Sequence, residues 1–484
     1  MMSTTPYRTL IRSASVMGGA SAISIIVAIV VSKGLSLLTG PYGVGLAGLY
    51  ASLVAAFSNV ANISGGGVRF IAEAKANRDR ATAAEIVAAL RSASWLLGLT
   101  AGTATWCLRG QLALWIFDDP NQSAAIGWLS LAVLLAILAA SRSAQLNGLG
   151  QINDLAKITI AGSVISGATL LIFARIWGLT GVVSGVLSLQ TTAFAISSIL
   201  ANRSGLRATS VPFRVSLQRA WPIMRLGLAF SASITLANVS QLVVRSAINH
   251  RLGPEAVGHF QAAWSISMTY IGFILAAMAV DYYPRLTATI ADPQTTARLL
   301  NQQTTLAFVA ACPIFLALFA LAPWTIKLLY TSDFLPSVAI LRWQILGDVF
   351  KLAAWPLGFV LLAANRPRAY LLAEVAWNVI YVAITLGLLD RFGLDATGIG
   401  FAISYILYLA MVYRLVRTHI LTLWNRANRL AVTCVSLLII ALFIVNHSYP
   451  AAALSTGITI TGLGSLISSW SIYHMLRQRK REMP

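Results

Sequence analysis

Gly40-Pro41-Tyr42-Gly43-Val44-Gly45 and Gly253-Pro254-Glu255-Ala256-Val257-Gly258 write one signature twice, and each follows a lone cation in an apolar helix. Lys33 lies in the run 23–38, seven residues before Gly40, and Arg245 lies in the run 226–248, eight residues before Gly253. A charge at the centre of a bilayer costs about 2.5–3.5 kcal/mol on insertion scales, so it persists only with a partner, a water-filled cavity or a charged ligand. Two in matching places point to a central cavity that holds an anion. The structural alternative is a cross-helix pair with a carboxylate.

Working outward, the 484 residues are 57% hydrophobic and only 10% charged, with a mean hydropathy of +0.76. Soluble proteins carry about 25% charged residues, so this composition reads as all-α and membrane-embedded. Runs long enough to cross about 30 Å of hydrocarbon recur along the whole chain. Fourteen are expected, near 14–38, 46–66, 88–108, 124–145, 158–177, 180–201, 226–249, 258–281, 304–324, 337–363, 369–389, 396–416, 430–446 and 452–475. The first follows Arg8 and Arg12 and is long enough to read as a retained helix, not a signal peptide.

The net charge of +20 is one-sided. With a cytoplasmic N-terminus, only Arg109, Arg175, Arg251, Lys327 and Arg391 fall outside, and Lys33, Arg245, Arg342 and Lys351 fall within helices. The other 26 of the 35 Lys and Arg are then cytoplasmic, which places both chain ends inside. Contact with anionic lipid headgroups accounts for the basic balance, and no nucleic acid is needed. The tail Arg477-Gln478-Arg479-Lys480-Arg481 reads as a topological anchor. Polar stretches (67–87, 202–225 and 282–303) are too short for a soluble domain, so function is expected between the helices.

The repeat reaches beyond the glycine signature. Trp115-Ile116-Phe117-Asp118-Asp119 pairs with Leu328-Leu329-Tyr330-Thr331-Ser332, and Arg175-Ile176-Trp177-Gly178-Leu179 with Asp390-Arg391-Phe392-Gly393-Leu394. Residues 1–201 and 226–416 therefore read as two six-helix copies in the same membrane orientation, joined by a basic linker at 202–225. Residues 417–484 add two helices and the basic tail. Parallel halves of this kind suit alternating access around a midplane site, whereas duplication for packing alone leaves the buried cations unexplained.

Segment ten carries the densest polar face. Arg342-Trp343-Gln344-Ile345-Leu346-Gly347-Asp348-Val349-Phe350-Lys351 places Gln344, Asp348 and Lys351 on one side of a spanning helix. Asp348 and Lys351 form either a self-satisfied salt bridge or a pair in which protonation of the carboxylate frees the lysine for an anion. Trp343 and Trp355 read as packing residues before sugar platforms. Glu374 enters segment eleven near Arg366 and Arg368, and Asp281 closes segment eight beside Arg285 as a helix-end pair or a gate. Arginine grips phosphate through two N–H groups and lysine acts as a mobile point charge, so Lys33 and Arg245 suit a diphosphate. Gly65-Gly66-Gly67 at the end of segment two suits a hinge or close helix packing. Neither the five His nor the lone Cys107, Cys312 and Cys434 have metal spacing, and no phosphate-binding lysine loop is present. No cofactor, metal or catalytic residue is expected.

Lys33 before the Gly40 signature, Tyr283-Pro284-Arg285-Leu286-Thr287, and the stretch from Trp343 to Lys351 continuing to Tyr370-Leu371-Leu372-Ala373-Glu374-Val375 carry a likeness. Over about residues 10–416 the chain resembles the polysaccharide and O-antigen repeat-unit flippases of the multidrug/oligosaccharidyl-lipid/polysaccharide exporter superfamily. The resemblance implies two six-helix bundles in a V around a cationic cavity in a bacterial inner membrane. It implies movement of undecaprenyl-diphosphate-linked oligosaccharides to the periplasmic leaflet, coupled to an ion gradient. Lys33, Arg245, Arg342 and Lys351 would then meet the substrate, and Asp348, Glu374 and Asp281 would couple the ion. Membrane lipids, a polysaccharide polymerase and chain-length machinery are the partners implied. Some members lack the last two helices, which leaves the glycan open. Multidrug efflux on the same fold would favour acidic cavities, whereas the internal charges here are mainly basic. A glycan polymerase or ligase would need a sizeable outside loop, and the loops are short.

Overall fold

The computed structural model describes residues 5–206, 213–418, 423–448, 455–466 and 468–469, and their regular structure is entirely helical. The helices are α1 (Thr5–Val60), α2 (Ser64–Ala76), α3 (Arg80–Cys107), α4 (Arg109–Leu112), α5 (Ser123–Gly148), α6 (Ile152–Trp177), α7 (Val182–Arg203) and α8 (Phe213–Leu252). They continue as α9 (Pro254–Thr289), α10 (Pro293–Ala320), α11 (Ala322–Leu329), α12 (Ser337–Ala363), α13 (Pro367–Phe392), α14 (Asp395–Arg417) and α15 (Arg426–Ser448). Among the described residues nine helices are long and apolar enough to cross a bilayer, or eleven if two bent pairs each count as one span. Two of the nine, of 46 and 52 residues, are about twice the ~20 residues a crossing needs. They break at Gly40 and at the tight turn Gly178–Gly181, an arrangement compatible with about fourteen crossings. The fourteenth predicted segment lies partly, and the basic tail wholly, outside the described residues, as does 207–212 of the linker.

Predicted segments 337–363 and 396–416 match α12 and α14 closely, but three boundaries move for local reasons. The second segment ends early, because Asn59 turns back on the Ala55 carbonyl and Asn62 accepts from the Ser64 amide, which competes with the helix. Gly65-Gly66-Gly67 therefore opens α2 instead of closing a span, and a Cβ on Gly66 would overlap the Ile223 carbonyl of α8. The glycines serve close packing. The eighth segment does not close at Asp281, because α9 continues to Thr289 after a 49° bend between Ala276 and Asp281. Pro284 cannot donate to the carbonyl four residues back, which opens the helix there. The ninth splits after Ala320, and Pro323 in the first turn of α11 starts the new helix. At the polar ends, Asp79 caps α3 through the Thr82 amide and Asp292 caps α10 through the Gln294 amide. The Thr82 hydroxyl on Asp79 and the Thr295 hydroxyl on Asp292, together with these amides, hold both carboxyls below their usual range.

The chain divides into two compact units, Met1–Gly258 and His259–Pro484. In the first, α1 packs on α6 and α8, and α5 packs on α3 and α7. Here the two glycine signatures meet. Gly40 has φ 63° and Gly253 φ 89°, conformations that only glycine adopts without strain, and each releases the chain into the proline that follows. A Cβ on Gly45 would lie 2.7 Å from the Gly258 amide and the Pro254 carbonyl, and one on Gly258 would overlap the Pro41 carbonyl. The two backbones thus cross in direct contact. A π-turn at Ala113–Phe117 sits nearby and leaves carbonyls free of the helical ladder. They are taken by α8: Ser246 Oγ donates to the Trp115 carbonyl (2.8 Å) and Asn249 Nδ2 to the Phe117 carbonyl (2.7 Å).

In the second unit α12 is the central helix, packed by α10, α11, α13, α14 and α15. Phe443 of α15 lies between Phe319 and Trp343, with ring centroids 4.9 and 4.7 Å away.

Gly258→Ala is expected to lower the thermal midpoint of the purified protein, since overpacking a tight contact costs about 1–3 kcal/mol. Gly272→Ala, also on α9 but with nothing within 4 Å of its Cβ, is expected to leave the midpoint unchanged. Equal midpoints for the two variants would show that the crossing is not tight.

Candidate functional site

The polar face of α12 is buried in the second unit. Asp348 is fully buried, with 0% exposure. Its Oδ2 accepts from Ser267 Oγ (2.7 Å) and from Tyr270 OH (2.5 Å), both on α9. Its Oδ1 is buried and has no hydrogen-bond partner among the described residues, and the same holds for both amide atoms of Gln344 one turn earlier. An ionised carboxylate is costly to bury without full compensation. The bare Oδ1 is the atom on which a proton or a small cation would sit.

Lys351 does not close a salt bridge with Asp348, one of the two arrangements the sequence left open. Its Nζ reaches Met268 Sδ at 3.4 Å and sits 5.5 Å from the Tyr405 ring centroid and 5.9 Å from that of Phe401. A four-carbon stem lets the ammonium swing away from the carboxyl and settle over aromatic faces, which attract cations at this range. The ammonium lines a cavity of about 200 Å³ together with Glu374, Trp355, Trp377 and Tyr405. Glu374 enters it from α13, its Oε1 accepting from Tyr408 OH of α14 at 2.7 Å. The cavity therefore combines one ammonium, one carboxyl and an aromatic wall.

The remaining predicted residues lie elsewhere. Lys33, half-buried on α1, and Arg245, 5% exposed on α8, belong to the first unit. Arg245 Nη1 donates to Gln241 Oε1 at 3.1 Å, and the Lys33 carbonyl accepts from Ser36 Oγ. Arg342 faces away from Lys351, with its Nε 3.4 Å from the Phe319 carbonyl and its guanidinium 5.2 Å from the Phe319 ring centroid. Asp281 pairs with Arg285 at 2.9 Å, with 72% and 55% of the two side chains exposed, an arrangement that contributes little. Trp343 packs on Phe443, whereas Trp355 lines the cavity. Sequence reasoning missed Ser267, Tyr270, Tyr405 and Tyr408. The signal was available as hydroxyl residues spaced i, i+3 on otherwise apolar helices, which places each pair on one face.

Spanning helices that bury carboxyl, ammonium and amide groups, with no loop large enough to hold a site among the described residues, define an integral membrane protein. The chain belongs to the polysaccharide biosynthesis protein family, whose pattern matches residues 45–339. It is 23% identical to the lipid III flippase of Escherichia coli (strain K12) over 407 residues, 79% of this chain and 92% of that protein. Its fold is shared with the lipid II flippase MurJ in an inward closed conformation, at a TM-score of 0.70 and 14% identity over 96% of this chain and 99% of that one. It is shared also with an inward-facing multidrug resistance MATE family transporter of the MOP superfamily. That match has a TM-score of 0.68 at 15% identity, over 82% of this chain and 98% of the other.

Tyr270→Phe and Ser267→Ala each remove one donor from a buried oxygen, and each is expected to lower the unfolding free energy by about 1–3 kcal/mol. Both donors serve the same atom, so the double variant is expected to deviate from the sum by more than about 0.5 kcal/mol. Strict additivity in thermal unfolding would show that the donors act independently.

Proposed function

We propose that this chain is a flippase that carries an oligosaccharide joined to a lipid diphosphate from the inner to the outer leaflet of a bacterial inner membrane. The observation that carries the reading is the placement of Lys33, Arg245 and Lys351 inside membrane-crossing helices of a polysaccharide biosynthesis protein. Cations held in that setting suit a doubly phosphorylated headgroup, with arginine gripping two oxygens and lysine following as a point charge. The names of the relatives support the same cargo class. Asp348, Lys351 and Glu374 form the ion-coupled element in this reading. A proton on Oδ1 of Asp348 removes a buried negative charge and changes what the nearby ammonium favours.

The positive-inside pattern supports cytoplasmic placement of both chain ends. The copies 1–201 and 226–416 draw support from their matched end turns: Gly178 has φ 60° and ψ −133°, and Gly393 has φ 54° and ψ −137°. A repeat unit delivered to the outer leaflet is what a polysaccharide polymerase and chain-length machinery consume. Arg342 and Asp281 are not needed for this reading. Efflux of cationic drugs on the same fold fits less well, because the aromatic and acidic cavity already holds the Lys351 ammonium.

In cells lacking this chain, the lipid-linked intermediate is expected to accumulate on the inner leaflet, and the wild-type chain should clear it. The Lys33→Ala, Arg245→Ala double variant should insert at normal abundance. It should lower export by at least about a hundredfold, the loss of two charge-assisted contacts of about 1.5–3 kcal/mol each. Export that survives the double substitution would falsify the anion-binding role.

A further inference from the structure

At one end of the second unit three helices finish together: α12 begins at Ser337, α14 begins at Asp395, and α15 ends at Ser448. Between them lies a groove of about 570 Å³, within the range of ~300–1,000 Å³ typical of small-molecule sites. Its polar lining is Arg342, Asp395, Asn446 and Ser448. Its inner wall is apolar, built from Trp343 and Leu346 on α12 and from Ile440, Phe443 and Ile444 on α15. Arg342 lies five residues into α12, about 7 Å below the helix start at 1.5 Å per residue. The polar groups therefore gather toward this end of the helices, and the apolar wall extends along α12 and α15.

Two opposite charges line this groove without neutralising each other. Among the described residues Arg342 and Asp395 make no ion pair, and the only hydrogen bond of the guanidinium is the long one from Nε to the Phe319 carbonyl. Both side chains are half-buried. A half-buried cation and anion that face one groove and leave each other unpaired match a ligand with a negative and a positive group of its own.

We propose that the groove between α12, α14 and α15 is a site for a zwitterionic phosphoethanolamine lipid, its phosphate on Arg342, its primary ammonium on Asp395 and its acyl chains against α15. The guanidinium has free N–H donors for two phosphate oxygens, and a primary ammonium has N–H donors for the carboxylate. Phosphatidylglycerol would satisfy Arg342 and offer Asp395 only neutral hydroxyls, with no cation to balance the carboxylate. Phosphatidylcholine would bring a cation with no N–H to donate. The site is separate from the Lys351 cavity and does not depend on the identity of any cargo. It gives α15, which lies outside the proposed repeat, a role as the wall of a lipid site.

The test is lipid retention by the purified full-length chain, read by native mass spectrometry after titration with phosphatidylethanolamine, phosphatidylglycerol or phosphatidylcholine in detergent. The wild-type chain is expected to retain phosphatidylethanolamine over the other two by about tenfold, the value of one charge-assisted hydrogen bond. Arg342→Gln should lose retention of phosphatidylethanolamine and phosphatidylglycerol alike. Asp395→Asn should abolish the preference between those two. Ile440→Trp touches neither charge but fills the groove, and should lose the lipid while keeping the wild-type melting temperature. Equal retention of all three lipids by the wild-type chain, or undiminished retention by Arg342→Gln or Ile440→Trp, overturns the proposal. A preference for phosphatidylglycerol would reassign the groove to an anionic lipid and overturns it equally.

Discussion

The first unit depends on a crossing at which two backbones touch with no side chain between them. At Gly45 and Gly258 the separation is set by carbonyl and amide groups, so α1 and the start of α9 approach as closely as peptide chains can. Helix association in a bilayer has little hydrophobic driving force, because lipid tails are as apolar as the side chains they would replace. Close packing and polar contacts must hold the bundle instead. The contacts from Ser246 and Asn249 to carbonyls of the π-turn lie beside the crossing and supply the polar part. α8, which carries Arg245, is held within the first unit by these polar contacts.

The second unit rests on a different constraint. α12 carries Gln344, Asp348 and Lys351 into the most buried position in the bundle, and its neighbours answer with hydroxyls and aromatic rings. Ser267 and Tyr270 satisfy one oxygen of Asp348, Tyr408 satisfies one oxygen of Glu374, and Tyr405 and Phe401 face the Lys351 ammonium. Each charge is partly solvated by neutral groups and not cancelled by another charge. A fully neutralised salt bridge would be fixed in one state, whereas groups held by dipoles and ring faces can change protonation or partner at modest cost.

Much of this was legible along the chain. Apolar runs located the helices, because crossing length and composition are local properties. The glycine signatures announced themselves through repetition, and the polar face of segment ten through i, i+4 spacing. What the sequence hid was non-local. Ser267 and Tyr270 are 81 and 78 residues from Asp348, and nothing in a one-dimensional pattern says which helix will supply a donor. The choice between the two readings of Asp348 and Lys351 was hidden for a related reason: spacing brings Cβ atoms together, but a long side chain ends where its head finds the better surroundings. Segment ends shifted where asparagine turns and prolines outweighed hydropathy, as at Asn62, Pro284 and Pro323. The separation of Arg342 from Lys351 follows from helical geometry, since nine positions apart on one helix two side chains point in different directions.

The burial of α12 also constrains the order in which the chain can be threaded into the bilayer. When α12 leaves the ribosome, Ser267 and Tyr270 on α9 are already in place to receive Asp348. Glu374 and the aromatic rings around Lys351 belong to α13 and α14, which have yet to be synthesised. For that interval the ammonium faces lipid or the insertion machinery, at a cost of about 2.5–3.5 kcal/mol at the bilayer centre. Helices α12 to α14 are therefore best released into the membrane as one packet, and the short turns between them, 364–366 and 393–394, keep the late partners within reach.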